Sequence, residues 1–302
     1  MNGAVLVILM IVVSFSGSVY AWNSGSAIAL WVVFAACLAV YIPQQYFAIF
    51  TTPENRIFPI HFLKSRSMVL LFIASASGAS AYEVTLYYIP LFFQFTQGDS
   101  AIKAALRLLP LICVFILFVL IQGGSLPFVG RYNLYYIAGG PLILIGGALL
   151  FTIDANTSVA KIYGYEVLIA AGCGLTFQNA YAVATAKVPK KDESNALGFI
   201  NVGQIGTMAF GLSIAGCLFQ NLGYQSLKKD LAPYHLPDAY VRSALAGRIS
   251  AVFSSADEEM IHIAVQSVAG TIARLFGMVI AAGSVLFVSG VLLPFEKLEG
   301  LH

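Results

Sequence analysis

The hydrophobic pattern of the chain is set by where charge is missing. No Asp, Glu, Lys or Arg occurs before Glu54, and Glu83 is the only charged residue between Arg66 and Asp99. A lipid-crossing helix needs about 20 mostly apolar residues to traverse about 30 Å of hydrocarbon. By that measure, apolar runs near 3–20, 28–49, 68–94, 103–123, 133–153, 163–186, 196–220 and 273–294 predict about eight crossings, and an even number puts both termini on one side. The polar, turn-like AWNSGSA at 21–27 divides the first two runs, and the first lacks the basic leading segment of a secretory signal. Segment 221–272 is too polar to cross. Within it, DAYVRSALAGRISAVFSS and DEEMIHIAVQSVAGTIARLF space apolar residues helically with charges between. They predict short helices that lie on the outer membrane surface or cap the bundle, in preference to a ligand-binding lid.

Composition agrees with this pattern. Hydrophobic residues make up 59% of the 302 positions and charged residues 10%, against about 25% charged in a soluble domain. The fold class is therefore all-α, a polytopic membrane protein. A net charge of +2, with no Lys/Arg-rich block, excludes nucleic acid as a partner. Cys37, Cys113, Cys173 and Cys217 all sit in apolar runs without metal-ligand spacing, and read as small lipid- or core-facing residues. His61, His235, His262 and His302 form no metal or catalytic set, and no Ser-His-Asp, phosphate-loop or zinc pattern appears. Nothing calls for a cofactor, a metal or an enzymatic activity.

Orientation follows the basic residues near span ends. The loop 51–67 carries Arg56, Lys64 and Arg66, the next loop on that side carries Arg131, and KVPKKDESN adds Lys187, Lys190 and Lys191. That side is expected to be cytoplasmic, with both termini. The opposite side holds Lys103, Arg107 and Lys161, although 221–272 adds Lys228, Lys229, Arg242 and Arg248. The sequon NTS at Asn156–Ser158 falls in an outer loop on this topology. The resulting organisation is a hairpin at 1–50, a basic cytoplasmic loop at 51–67, and a six-helix unit at 68–295 that includes the extracellular segment 221–272.

Candidate chemistry concentrates in AYEVTLYYIPLFFQ, residues 81–94. A charged carboxylate at mid-bilayer costs at least about 2.5–3.5 kcal/mol unless paired, hydrated or protonated. Glu83 is thus a proton-coupling candidate if its helix centres at 74–94, and a merely solvated residue if it centres at 68–88. Pro90 removes a backbone donor, serving either as a flexible gate or as an ordinary packing kink. Helical spacing puts Glu83, Tyr87, Pro90 and Gln94 on roughly one face, which favours a substrate cavity over an interfacial aromatic belt. Gln178, Asn179, Asn201 and Gln204 are uncharged polar groups inside apolar helices, either substrate ligands or, more commonly, interhelical hydrogen-bonding groups. Gly172, Gly174, Gly203, Gly206 and Gly211 read as sites of close backbone approach.

Several stretches, in order along the chain, are similar to one family. YYIPLFFQFTQGDSAIKAALRLLPLI (87–112) resembles the ninth-to-tenth helix signature of the fourteen-helix drug:proton antiporter branch of the major facilitator superfamily, with its Tyr-Tyr-aliphatic-Pro, Phe-Gln, Gly-x-Ser turn and Leu-Pro-Leu. SGSVYAWNSGSAIALWVVFA (16–35) is similar to the seventh-to-eighth helix hairpin, and GGSLPFVGRYN (123–133) to the degenerate loop between helices ten and eleven. Residues 172–221, with a glycine-rich face and a Phe-Gln-Asn exit, resemble helices twelve and thirteen.

The resemblance implies the carboxy-terminal portion of such a carrier, helices seven to fourteen: a six-helix bundle preceded by a two-helix hairpin. It also implies proton-coupled efflux of drugs, toxins or other small amphipathic compounds from the plasma membrane. The partners would be a small-molecule substrate and protons, the lipid bilayer, and either a missing amino-terminal half or a second copy. The sequence departs from the family pattern in lacking that half, with its fifth-helix antiport motif, and in keeping only Arg131 of the charge relay in the 123–133 loop. Glu83 is not part of the family pattern. Two other functions stay open, a truncated non-transporting protein or scaffold and a siderophore carrier of the same fold.

Overall fold

The computed structural model describes residues 2–16, 20, 23–46, 59–247, 252–253 and 257–297, and every named element among them is helical. The helices are α1 (Asn2–Phe15), α2 (Gly25–Tyr46), α3 (Arg66–Gln97), α4 (Ala101–Leu106), α5 (Leu109–Val129), α6 (Asn133–Phe151), α7 (Val159–Phe177), α8 (Asn179–Ala186), α9 (Glu193–Asp230), α10 (Asp238–Ala244), α11 (Glu258–Leu275) and α12 (Gly277–Leu292). Among the described residues seven stretches are long and apolar enough to cross a membrane. Of the eight crossings expected, the first is represented by the 14-residue α1, with residues 17–19 outside the described set. The chain is an integral, multi-pass membrane protein. Arg56, in the expected basic loop, lies outside the described residues, and Lys64 closes a 3₁₀ turn, Ile60–Lys64, ahead of α3.

Local chemistry sets the helix ends. α3 stops at Gly98, whose φ of 65° is the left-handed conformation that glycine adopts without strain. Ser100 then caps α4, its hydroxyl accepting from Lys103 N at 3.3 Å. QGDS is therefore a stop and a start within four residues. Pro110 sits in the first turn of α5, where its missing N–H leaves no intrahelical partner unmet.

α3 is the central helix, lying against α9 on one side and against α7 and α12 on others. α6 is clasped between α7 and α12. A Cβ on Gly172 would stand 2.6 Å from Gly139 O of α6, and one on Gly140 would stand 2.7 Å from the Phe287 backbone of α12. Without an apolar driving force between helices in lipid, such backbone contact is a main source of adhesion. Gly174, Gly203 and Gly211 also meet neighbours within 2.7 Å. Gly206 meets nothing within 4 Å, so it is not a packing glycine here.

The largest departure from the sequence reading concerns 221–272. α9 continues to Asp230, giving 38 residues, or about 57 Å at 1.5 Å per residue, well beyond the hydrocarbon thickness. DEEMIHIAVQSVAGTIARLF does not lie flat on a membrane surface. It is α11, running through Phe276 into α12 and burying Ala264, Val268 and Ile272. The amphipathic spacing is real, and its apolar stripe is used against α9 and α3. Among the described residues between α9 and α11, the turn Ala232–Tyr234 and α10 remain as a cap.

Candidate functional site

α3 presents two unlike faces. Ala81, Val84, Thr85, Tyr88, Ile89, Phe92 and Phe93 are buried, whereas Glu83, Pro90 and Gln94 are half-buried and Tyr87 is 52% exposed. The face carrying Glu83, Tyr87, Pro90 and Gln94 is thus the less covered one. Glu83 lies 17 residues from Arg66 and 14 from Gln97, about 26 Å and 21 Å along the axis. One turn before it, Ser80 lies where a Cβ on Gly211 would stand 2.5 Å from its Oγ, drawing α9 close. One and two turns after it, Tyr87 and Leu91 open a cleft of about 640 Å³ against Leu212, Ser213, Gly216 and Gln220 of α9. Glu83 is placed between a point of helix contact and a cleft. The helix continues through Pro90 without interruption.

A second, smaller cleft of about 380 Å³ lies between α8 and α9, lined by Gln178, Tyr181, Leu197, Gly198, Asn201 and Gln204. Tyr181 Oη lies 2.7 Å from Gln204 Oε1 and 3.1 Å from Asn201 Oδ1, and a phenol has one proton to donate, so the shorter contact to Gln204 takes it. Gln204 also donates through Nε2 to Phe177 O at 3.0 Å. Gln178 is exposed at the α7–α8 junction. The structure therefore groups three of the four predicted polar residues and removes the fourth. Asn179 is fully buried, donates to Tyr132 O at 2.8 Å and accepts from Gln122 Nε2 at 3.3 Å, which leaves its amide no free face for a substrate. Adjacent positions 178 and 179 point apart because one ends α7 and the other begins α8.

Two ion clusters mark opposite ends of α3. At its end, the buried Asp99 accepts from Arg107 Nε and pairs ionically with Lys103 at 2.7 Å, while Arg107 donates on to Tyr163 Oη at 3.5 Å and lies over the Phe93 ring at 4.4 Å. The Arg107 hydrogen bond holds the Asp99 carboxyl below the usual carboxylate range, against the opposing effect of burial. At its start, Lys187 donates to Glu296, which also accepts from Tyr132 Oη at 3.1 Å, and Lys187 reaches Ser67 at 3.4 Å. The Lys187 hydrogen bond lowers the Glu296 carboxyl too. The Lys187–Glu296 pair ties the end of α8 to the tail beyond α12, whereas the Asp99 pairs are local and reach α7 through the Arg107–Tyr163 hydrogen bond.

The sequence reading missed Glu166 on α7. It is 0% exposed, and neither carboxylate oxygen has a hydrogen-bond partner. The sequence signal was its neighbourhood, EVLIAAGCG, in which no further charge follows until Lys187. Among the described residues no group of three or more His, Cys, Asp or Glu side chains is placed to hold a metal.

No protein-family model matches the chain. It is similar to the efflux pump patC of Aspergillus clavatus, 36% identical over 283 residues, covering 94% of this chain and 51% of that protein. It is equally similar to the MFS-type transporter patC of Penicillium expansum, 36% identical over 291 residues, covering 96% and 53%. A third relative is the phomenoic acid biosynthesis cluster MFS-type transporter of Leptosphaeria maculans, 35% identical over 295 residues, covering 92% and 47%. The chain spans about half the length of the curated relatives it matches.

Proposed function

We infer that this chain, which belongs to the major facilitator superfamily, works as the carboxy-terminal half of a proton-coupled exporter of small amphipathic compounds and is not an enzyme. The observation that supports this reading is the α3–α9 cleft. Its volume falls in the range of small-molecule sites, about 300–1,000 Å³. Tyr87, Ser213 and Gln220 supply hydroxyl and amide groups on otherwise apolar walls, which suits a molecule with few polar groups on an oily body. Glu83, one turn from Tyr87, is the carboxylate that changes protonation as substrate moves. Gln94 continues the same face, and Pro90 between them loosens the helix at the cleft. Gln178, Asn201 and Gln204 form a second polar station, nearer the start of α9, while Asn179 acts within the bundle.

In a repeat-built carrier the substrate site lies between two halves that rock against each other. The partner of this half is the amino-terminal half of a longer protein or a second copy of the chain. The names of the relatives, efflux pump and MFS-type transporter, support the export direction. The plasma membrane is the place of residence, with both termini cytoplasmic.

A second reading is a non-transporting membrane protein. Reconstitution of the chain in liposomes, with dye movement followed under an imposed proton gradient and Glu83→Gln alongside, separates the two. Gradient-driven movement that is lost in Glu83→Gln is the expected result. Absence of movement in both correctly folded proteins, persisting after an amino-terminal half is supplied, would leave the non-transporting reading standing.

A further inference from the structure

Glu166 is the eighth of 19 residues in α7, about 10 Å along the axis from the helix start. Two contacts fix which way it faces. Tyr163 meets Phe93 of α3 with ring centroids 6.3 Å apart, and Cys173 Sγ lies 3.7 Å from Gly78 O of the same helix. Glu166 lies between them, three residues after Tyr163 and seven before Cys173, so it points into the α3–α7 interface and not toward lipid.

The surroundings hold no counter-charge for it. α5 and α6, which pack most extensively on α7, carry no Asp, Glu, Lys or Arg, and their titratable groups are Cys113 on α5 and Tyr135 and Tyr136 on α6. α3 offers Tyr82, Glu83, Tyr87 and Tyr88, with Arg66 at its remote start donating to Leu292 O at 3.3 Å. α8 offers Tyr181. On α7 itself Lys161 is exposed, Tyr163 is engaged with Arg107, Tyr165 is half-buried and Cys173 is turned to Gly78. The cations at this end, Lys103 and Arg107, are both held by Asp99. A carboxylate with neither donor nor cation in a dry interior is far less stable than the neutral acid.

We propose that Glu166 is a second proton-binding site of the carrier, closed in this conformation and opened to exchange when the Asp99–Arg107–Tyr163 clasp releases. The inference rests on the reading of the chain as half of a proton-driven carrier and adds to it a named group and a gate. Tyr163 joins the two: its hydroxyl is the α7 end of the clasp, and its Cα lies about 4.5 Å along the axis from that of Glu166. Release of Arg107 frees the start of α7 to move off α3, which opens the buried carboxyl to solvent. The proton then passes from the acid to water and returns when the interface closes.

Infrared difference spectroscopy of the chain in lipid nanodiscs, over a pH series, reads the protonation directly and without transport. The expected result is a carboxylic acid carbonyl band at neutral pH that persists in Glu83→Gln and is missing in Glu166→Gln. If Glu166→Gln fails to fold, Glu166→Asp serves, where the band must shift in frequency. Asp99→Asn opens the clasp, and the deuterium shift of the band after transfer to heavy water should then run about tenfold faster or more, as loss of a charge-assisted hydrogen bond predicts. Absence of the acid band at neutral pH, or its survival in Glu166→Gln, would overturn the proposal. Because the band is independent of dye movement, a chain that shows the band yet moves no dye sinks the transport reading alone.

Discussion

The two sides of α3 are built to different standards. Toward α7, Cys173 rests on Gly78 and Glu166 is sealed without a partner. Toward α9, the helices touch at Gly211 and Gly203 and then part into a cleft beside a half-buried Glu83. One residue type thus meets two environments a few residues from the same helix. The closed side holds helices together around a buried carboxyl, and the open side leaves room for a molecule.

The comparison breaks most sharply with charge reversal. Glu166→Lys buries an ammonium where α5 and α6 offer no anion, and should destabilise the fold by about 3–5 kcal/mol, the cost of an uncompensated buried charge. Glu83→Lys, at a half-buried position, should fold. The folded, monodisperse fraction in detergent distinguishes them, and equal yields would erase the contrast.

Packing gives the next largest effect. Gly172→Ala drives a Cβ to 2.6 Å from Gly139 O and should cost about 1–3 kcal/mol in thermal unfolding as overpacking. Gly206→Ala, on the α9 side with open space around it, should gain up to about 1 kcal/mol through helix propensity.

The clasp gives a pH test with a definite sign. Asp99 has a folded-state pKa below its unfolded value of about 3.9, so its contribution is present above that value and is lost as pH falls through the lower folded value. The stability gap between wild type and Asp99→Asn should be constant through neutral pH and close on acidification. A gap that widened on acidification would reverse the assignment.

The smallest effect belongs to the second cleft. Tyr181→Phe removes the hydroxyl donated to Gln204 and should cost about 0.5–1.5 kcal/mol in thermal unfolding.

Much of this contrast was legible before any coordinates. The exposure pattern of α3 follows the spacing of Glu83, Tyr87, Pro90 and Gln94, because residues three and four apart share a helix face whatever packs on it. That Glu166 is buried without a partner was not legible, although an uncharged run follows it to Lys187. Glu166 lies five residues after Lys161, a spacing equally at home in a solvated helix end. Sequence alone does not separate Asn179 from Gln178, because one residue cannot show that a helix ends between them.

By itself the sequence determined the all-α class, the long apolar stretches, the QGDS break and the charged residues available to the bundle. These are local properties, fixed by hydropathy along a segment and by the backbone preferences of glycine and serine. Tertiary structure alone decided that α11 packs on α9 and α3 instead of lying on a membrane, that Asp99 gathers two cations, and that Glu166 is left with none. Whether a polar group is paired, solvated or sealed depends on what the neighbouring helices carry at the same depth, and that is a property of distance in space, which spacing along one chain does not encode.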